Sequence, residues 1–183
     1  MLAEILAAYL KTFPEERSGL KVLKMQIKDN QILNDRRNFV GHVTGSAIVL
    51  SPDKSKVLLI YHKLFDAWQQ PGGHWELDET DPRTAAWREA EEETGIWLAK
   101  GLDIVTDQPL VPLDIDSHPV PPRPVKDEPA HRHHDFRYVF IAKTEKLTPQ
   151  EAEVAGAKWV ALDDPDTQRI TRAIKKLHRF NLV

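Results

Sequence analysis

Three carboxylates, Glu89, Glu92 and Glu93, stand at i, i+3 and i+4 in the run REAEEETGI that begins at Arg88. On a helix turning about 100° per residue they share an arc of roughly 100°. Like charges at those spacings repel and weaken an isolated helix. A divalent cation on that face removes the penalty, and carboxylate oxygens are the donors that Mg²⁺ and Mn²⁺ prefer. Glu91 points roughly 160° away from Glu89 and fits a solvated acidic face, the ordinary meaning of a charge run. What precedes the helix favours the cation. Pro71-Gly72-Gly73 forms a glycine turn, and Glu76, Asp78 and Glu79 lie between that turn and the helix.

Together these residues resemble the Nudix box, the signature of hydrolases that cleave nucleoside diphosphates linked to another moiety. Gly73 and Glu79 keep the five-residue spacing of its first part, and Arg88, Glu89, Ala90, Glu92, Glu93, Gly95 and Ile96 fill its second. Eight residues separate Glu79 from Arg88 where the pattern has seven, with the extra one around Thr80-Asp81-Pro82. A loop ahead of the helix can absorb it. The resemblance implies a metal-dependent hydrolase acting on the diphosphate linkage of a small nucleotide-type substrate. It also implies Mg²⁺, with Mn²⁺ as the alternative, held by Glu89, Glu92, Glu93 and the carbonyl of Gly72. Arg88 would orient a ligand carboxylate through a forked pair. For the general base the candidates are Glu89 or Glu93 on the helix, or an acid on a later loop. In Thr148-Pro149-Gln150-Glu151-Ala152-Glu153, ahead of a strand containing Trp159, Glu153 comes first and Glu151 second, against a plain solvated acid.

A second concentration of chemical groups is His131-Arg132-His133-His134-Asp135. If these residues enter a strand, His131, His133 and Asp135 share one side. Structural or solvated roles, substrate contact and an imidazole zinc site are the three readings. The resemblance places this strand near the pocket, which makes His133 and Asp135 substrate-contact candidates. His74, directly after Gly73, falls near the expected metal with a backbone role. Phe65 and Trp68, just before the glycine turn, could stack on a planar group, with core packing the alternative for one of them.

Composition sets the frame. A chain of 183 residues, 41% hydrophobic and 29% charged, matches an ordinary soluble domain with a real core. A net charge of −3 without a basic stripe argues against a nucleic-acid polymer as partner. With no cysteine there is no disulfide, thiolate zinc site or cysteine nucleophile, which fits a cytoplasmic protein. It also disfavours the isopentenyl diphosphate isomerase branch of the family, which resembles a cysteine-assisted proton shuttle. The opening MLAEILAAYLK lacks a basic leader region and cleavage site and reads as an amphipathic helix. No apolar run approaches the ~20 residues that span a bilayer, so no membrane partner is expected.

The elements that must position the acids follow from patterning. Helix is expected over 2–12, a second from Pro14, and helix and loop over 21–39. Residues 43–50 and 57–61 are β-rich runs joined by Ser51-Pro52-Asp53-Lys54, and strands are expected near 97–105, 136–142 and 157–162. Residues 108–129 hold seven of thirteen prolines and read as a loop with extended pieces. Asp163 or Asp164 can cap a last helix over about 165–179, with Ile170, Ile174 and Leu177 spaced for burial. Periodicity gives a mixed α/β domain, and the resemblance implies an α-β-α sandwich with a mixed β-sheet. Residues 1–40 would be an N-terminal helical extension on a domain spanning 41–183. That extension could pack on the core, form a homodimer surface or shape the substrate mouth. The alternatives to a hydrolase are a catalytically silent binding or regulatory protein of the same fold and an interaction module with a purely solvated acidic helix.

Overall fold

The strand β1 (His42–Leu50) is buried along its whole length and organises the molecule. From Ala47 onward it is apolar on both faces, which suits a central strand covered on two sides. The computed structural model describes the chain except residues 106, 107, 109 and 151–153. The other described elements are α1 (Leu2–Thr12), α2 (Lys21–Lys28), β2 (Lys56–His62), β3 (Ala67–Gln69), β4 (Gly72–His74) and α3 (Pro82–Thr94). They continue with β5 (Leu98–Leu102), β6 (Asp114–Val120), β7 (His131–Ala142), β8 (Val154–Ala161) and α4 (Thr171–Arg179).

All eight strands join one mixed sheet. β1 pairs in parallel with β7 from His42↔His133 to Leu50↔Ile141. The other pairings are antiparallel: β4 and β2 with β1, β3 and β8 with β2. On the far edge of β7, β6 takes residues 131–137 and β5 takes 139–142.

Strand alternation sorts the core into two sides. Ala47, Val49, Phe136, Tyr138 and Phe140 pack with Ala85, Ala86 and Ala90 of α3. Ile48, Leu50 and Val139 pack with Ile170, Ala173, Ile174 and Leu177 at the α4 end of the chain. The sheet therefore lies between α3 and α4, the mixed α/β sandwich that the resemblance implies. The N-terminal segment shares the first core through Ile5, Leu6, Tyr9, Leu10, Phe13, Leu20 and Leu23. Each such burial is worth about 1.5–3 kcal/mol, which fixes the segment firmly.

A buried ionic cluster ties the same parts together. The Asp114 side chain is fully buried and accepts from Arg172 Nε (2.7 Å), Arg137 Nη1 (3.1 Å) and Lys176 Nζ (2.6 Å). Lys176 also reaches Glu16 Oε1 (2.6 Å) and the Tyr9 hydroxyl (2.7 Å). The Tyr9 hydroxyl donates to Glu16 and accepts from the Ile115 N–H (2.9 Å).

Several segments depart from the sequence expectation, and Gly72-Gly73, expected as a turn, instead open strand β4 and pair with Ser46 and Gly45. The stretch from Pro14 is a 3₁₀ turn ending at Ser18, and α2 stops at Lys28. Residues 165–170 are 3₁₀ before α4 begins, although Asp164 does cap the segment by accepting from the Asp166 N–H (2.9 Å). The proline-rich region contains a seven-residue strand, β6. Its Pro119 is tolerated because β6 pairs on one side only, where a missing N–H costs least. β7 begins at His131, so the histidine-rich run belongs to the strand itself.

Candidate active site

α3 starts and stops on local chemistry. Asp81 is its N-cap, with Oδ1 accepting from the Thr84 N–H (3.0 Å), and Pro82 fills the first position without losing a hydrogen bond. Gly95 ends it in the left-handed conformation (φ 63°, ψ 17°), its N–H donating to the Glu91 carbonyl (2.8 Å). The alanine face lies directly on β1: a Cβ at Gly45 would stand 2.2 Å from the carbonyl oxygen of Pro82.

That close approach carries the acidic face onto β4. A Cβ at Gly73 would stand 2.2 Å from Glu89 Oε1, and the Gly72 N–H donates to Glu93 Oε2 (2.9 Å). Glu93 is 3% exposed, while the Glu89 and Glu92 side chains are 15% and 55% exposed. The three carboxylates thus run from the interior of the site to its open edge.

Arg88 binds this set together. Its Nε donates to Glu79 Oε1 (2.8 Å), its Nη1 to Glu89 Oε1 (2.8 Å) and Glu92 Oε2 (2.9 Å), and its Nη2 to the His74 carbonyl (3.0 Å). The hydrogen bond with Glu79 is foremost in raising the guanidinium pKa above its ordinary value, against the opposing effect of partial burial. Glu79 also accepts from the Glu76 N–H (2.8 Å), so the turn folds back on the helix. The additional residue is therefore taken up in the turn at residues 80–81 without separating Glu79 from Arg88. A hard divalent cation fits this donor set, which is all carboxylate and backbone oxygen beside a glycine whose missing Cβ leaves space.

Beyond the helix, the structure distributes the sequence candidates unevenly. Gly72, Arg88, Glu89, Glu92 and Glu93 come together. Glu151 and Glu153 lie outside the described residues. Phe65 sits in the β2–β3 turn against His62 (ring centroids 4.6 Å), with Arg123 over its ring at 5.5 Å. Trp68 is half-buried on β3, edge-on to Tyr61 (5.2 Å) with the Lys158 ammonium 4.2 Å over it. Asp135 is 3% exposed. Its Oδ1 accepts from Thr44 (3.1 Å) and Ser46 (2.7 Å), and its Oδ2 from Gln70 (3.2 Å) and Arg137 (2.9 Å). Those contacts use the four acceptor sites of a carboxylate, so the substrate contact expected of Asp135 has no acceptor left to serve it.

Sequence reasoning missed the polar rows that Asp135 belongs to. Register places His118, His133 and His42 side by side across β6, β7 and β1. The next row is Asp116, Asp135 and Thr44, and the one after is Asp114, Arg137 and Ser46. These residues alternate with the Gly45 side, so they occupy the sheet face opposite α3. His74 joins them from β4, opposite Thr44, with its ring 5.1 Å from His42 and 5.4 Å from His133. Period-two spacing from Ile48 back to His42 is the signal that could have found the row.

Burial, together with neighbouring imidazoles, pushes His133 down to about 2 and His74 down to about 4. His42 is lowered by burial. His118 is raised by the Asp116 carboxylate, 3.4 Å from its Nδ1.

A family model described as NUDIX domain matches residues 41–180. A probable DHNTP pyrophosphohydrolase of Lactococcus lactis subsp. cremoris is 29% identical over 169 residues, 92% of this chain and 90% of the relative. A CMP-5'-(N-acetyl-N-hydroxy-3-aminopropyl)phosphonate hydrolase of Streptomyces rubellomurinus is 31% identical over 134 residues, 69% of this chain, which spans only 55% of that protein. Among solved structures, a NUDIX-family hydrolase from Clostridium perfringens superposes with a TM-score of 0.57 at 22% identity, covering 77% of this chain and 97% of the other.

Proposed function

The chain belongs to the NUDIX domain family, and from that premise we propose that it hydrolyses the diphosphate linkage of a nucleotide-type small molecule with Mg²⁺ or Mn²⁺. The observation that carries the reading is the convergence of Glu89, Glu92 and Glu93 on one helix face against Gly72-Gly73 of β4, with Arg88 bridging two of them. A silent binding protein has no need of the complete set. The Lactococcus relative, which aligns along nearly its whole length, directs attention to DHNTP as the first substrate to try. Among the described residues no helix is long and apolar enough to cross a membrane.

Glu89, Glu92, Glu93 and the Gly72 carbonyl would hold the ion. When bound, it neutralises phosphate oxygens and makes a water more acidic. The protein's own part is positioning. Gly73 gives Glu89 room beside β4, and the Gly72 N–H fixes the orientation of Glu93. Arg88, anchored by Glu79 and the His74 carbonyl, holds Glu89 and Glu92 at the angle set by its planar fork. We assign proton removal from the attacking water to Glu153, with Glu151 as the second choice, on the family resemblance. Phe65, Trp68 and His133 keep the substrate-facing assignments, and Asp135 positions Thr44, Ser46, Gln70 and Arg137 behind them.

The test is Glu92→Gln, at the most exposed of the three carboxylates. Mg²⁺-dependent turnover should fall by at least ~10²-fold, the scale of a lost charge-stabilising group, with an unchanged circular dichroism spectrum. Turnover at the wild-type level would remove Glu92 from the ion site.

A further inference from the structure

We propose that His42, His131 and His133 form a second metal site, separate from the carboxylate face, for a borderline divalent ion of the Zn²⁺ class. Each ring offers one nitrogen, and the three nitrogens all lie within 4.8 Å of one another. The site shares His133 with the substrate-facing residues proposed above, but its ion does not depend on the carboxylate face.

Proton accounting carries the argument. His131 Nδ1 lies 2.8 Å from the Pro129 carbonyl, and His42 Nδ1 lies 3.3 Å from the Asn38 carbonyl. A carbonyl only accepts, so each ring in its neutral form carries its proton on Nδ1 and turns a bare Nε2 lone pair inward. His42 is 2% exposed, and its Nε2 has no hydrogen-bond partner among the described residues. His131 Nε2 faces His133 Nε2 at 3.2 Å. His133 can supply at most one Nε2 proton to two inward lone pairs, so hydrogen bonding within the trio cannot satisfy them all. One cation satisfies all three.

One pair already has the spacing such an ion needs. Two nitrogens bound to a tetrahedral Zn²⁺ at ~2.0–2.1 Å stand ~3.3 Å apart, close to the His131–His133 separation. The Nδ1–H···O=C contacts of His42 and His131 are the supports that orient imidazole ligands and raise their basicity. Rings replace oxygens here, so ligand softness sorts the two sites: Zn²⁺, Co²⁺ or Ni²⁺ for the imidazoles, Mg²⁺ or Mn²⁺ for the glutamates. Three protein ligands leave a fourth position for water or a substrate oxygen, as in zinc sites that act on substrates. His74 stands beside the trio without joining it, and its carbonyl receives Arg88, so one strand touches both sites.

The experiment is Co²⁺ binding to the metal-stripped full chain in excess Mg²⁺, read by visible absorption and by metal content after dialysis. The wild type should retain one Co²⁺ per chain, with the intense visible bands of a four-coordinate nitrogen site that Zn²⁺ abolishes. His42→Asn and His133→Asn should each weaken retention by roughly tenfold or more, and Glu92→Gln should leave it unchanged. A wild type that retains no Co²⁺ overturns the proposal. So does Co²⁺ that survives His133→Asn and is lost in Glu92→Gln, or only the weak bands of six-coordinate oxygen ligation. The wild-type spectrum decides the matter even if a histidine variant fails to fold.

Discussion

Single side chains in this site act through their neighbours, and Arg88 shows it most clearly. Its three nitrogens reach acceptors on four residues, so Arg88→Lys keeps the charge and loses the fork. Metal affinity, measured by Mn²⁺ titration, should weaken about 10–100-fold, the usual effect of removing a support behind a ligand. An affinity equal to wild type would reduce Arg88 to a surface ion pair. Gly73→Ala probes the same shell from the other side. The three atoms nearest the new Cβ are Glu89 Oε1 (2.2 Å), Cδ (2.4 Å) and Oε2 (2.9 Å), all at the end of a flexible side chain. Stability should stay within about 1 kcal/mol while activity drops, because the carboxylate moves and the fold does not. A melting temperature lowered by many degrees would show that the glycine serves the backbone instead. The helix acids and Arg88 were legible at this scale because helical spacing is local information. The histidine row was not, since His42 and His118 meet His133 only after three distant strands pair.

At the scale of elements, the contact between α3 and β1 decides whether the acids reach β4 at all. Gly45 faces backbone, with the Pro82 oxygen at 2.2 Å and the Ala86 nitrogen at 2.8 Å from an added Cβ. Gly45→Ala therefore pushes the helix outward and should cost about 1–3 kcal/mol, the range for overpacking, with loss of turnover as well. Chemical denaturation measures the first and substrate hydrolysis the second, and an unchanged denaturation midpoint would contradict the packing described. β1, β2 and α3 could be read from the sequence because their apolar patterning and caps match their final state. β6 could not, because prolines signal a loop and the pairing with β7 that rescues it is nonlocal. The polar half of β7 was hidden in the same way: His131–Asp135 looks like surface until β1 and β6 close on both its edges.

For the molecule as a whole, the buried ions around Asp114 join the N-terminal segment, β6, β7 and α4. Burial alone would raise the Asp114 pKa, but the hydrogen bond from Arg172 and the charges of Arg137 and Lys176 outweigh it and hold the pKa below the ordinary carboxylate value. A carboxyl depressed by folding stabilises above its unfolded pKa of about 3.8, and that contribution is lost as pH falls through the lower folded value. Asp114→Asn leaves three cations facing a neutral amide and should cost about 3–5 kcal/mol at pH 7. The cost should shrink as pH falls from ~4 towards the lower folded value, because the unfolded chain binds the proton first and the folded Asp114 only later. A stability difference flat from pH 7 to pH 3 would argue against a charged Asp114. The extent of the resemblance could set residues 1–40 apart as an extension but could not reveal this anchoring, because Tyr9 and Glu16 find Lys176 across nearly the full length of the chain.

The central claim is that the acidic face of α3 grips a hard divalent ion beside the two glycines of β4. Anomalous diffraction from crystals soaked in Mn²⁺ tests it most directly. The account predicts a manganese peak among the carboxylates of Glu89, Glu92 and Glu93, within bonding distance of the Gly72 carbonyl. Manganese only at the imidazoles, or none on α3 with Arg88 still bridging Glu89 and Glu92, would contradict it.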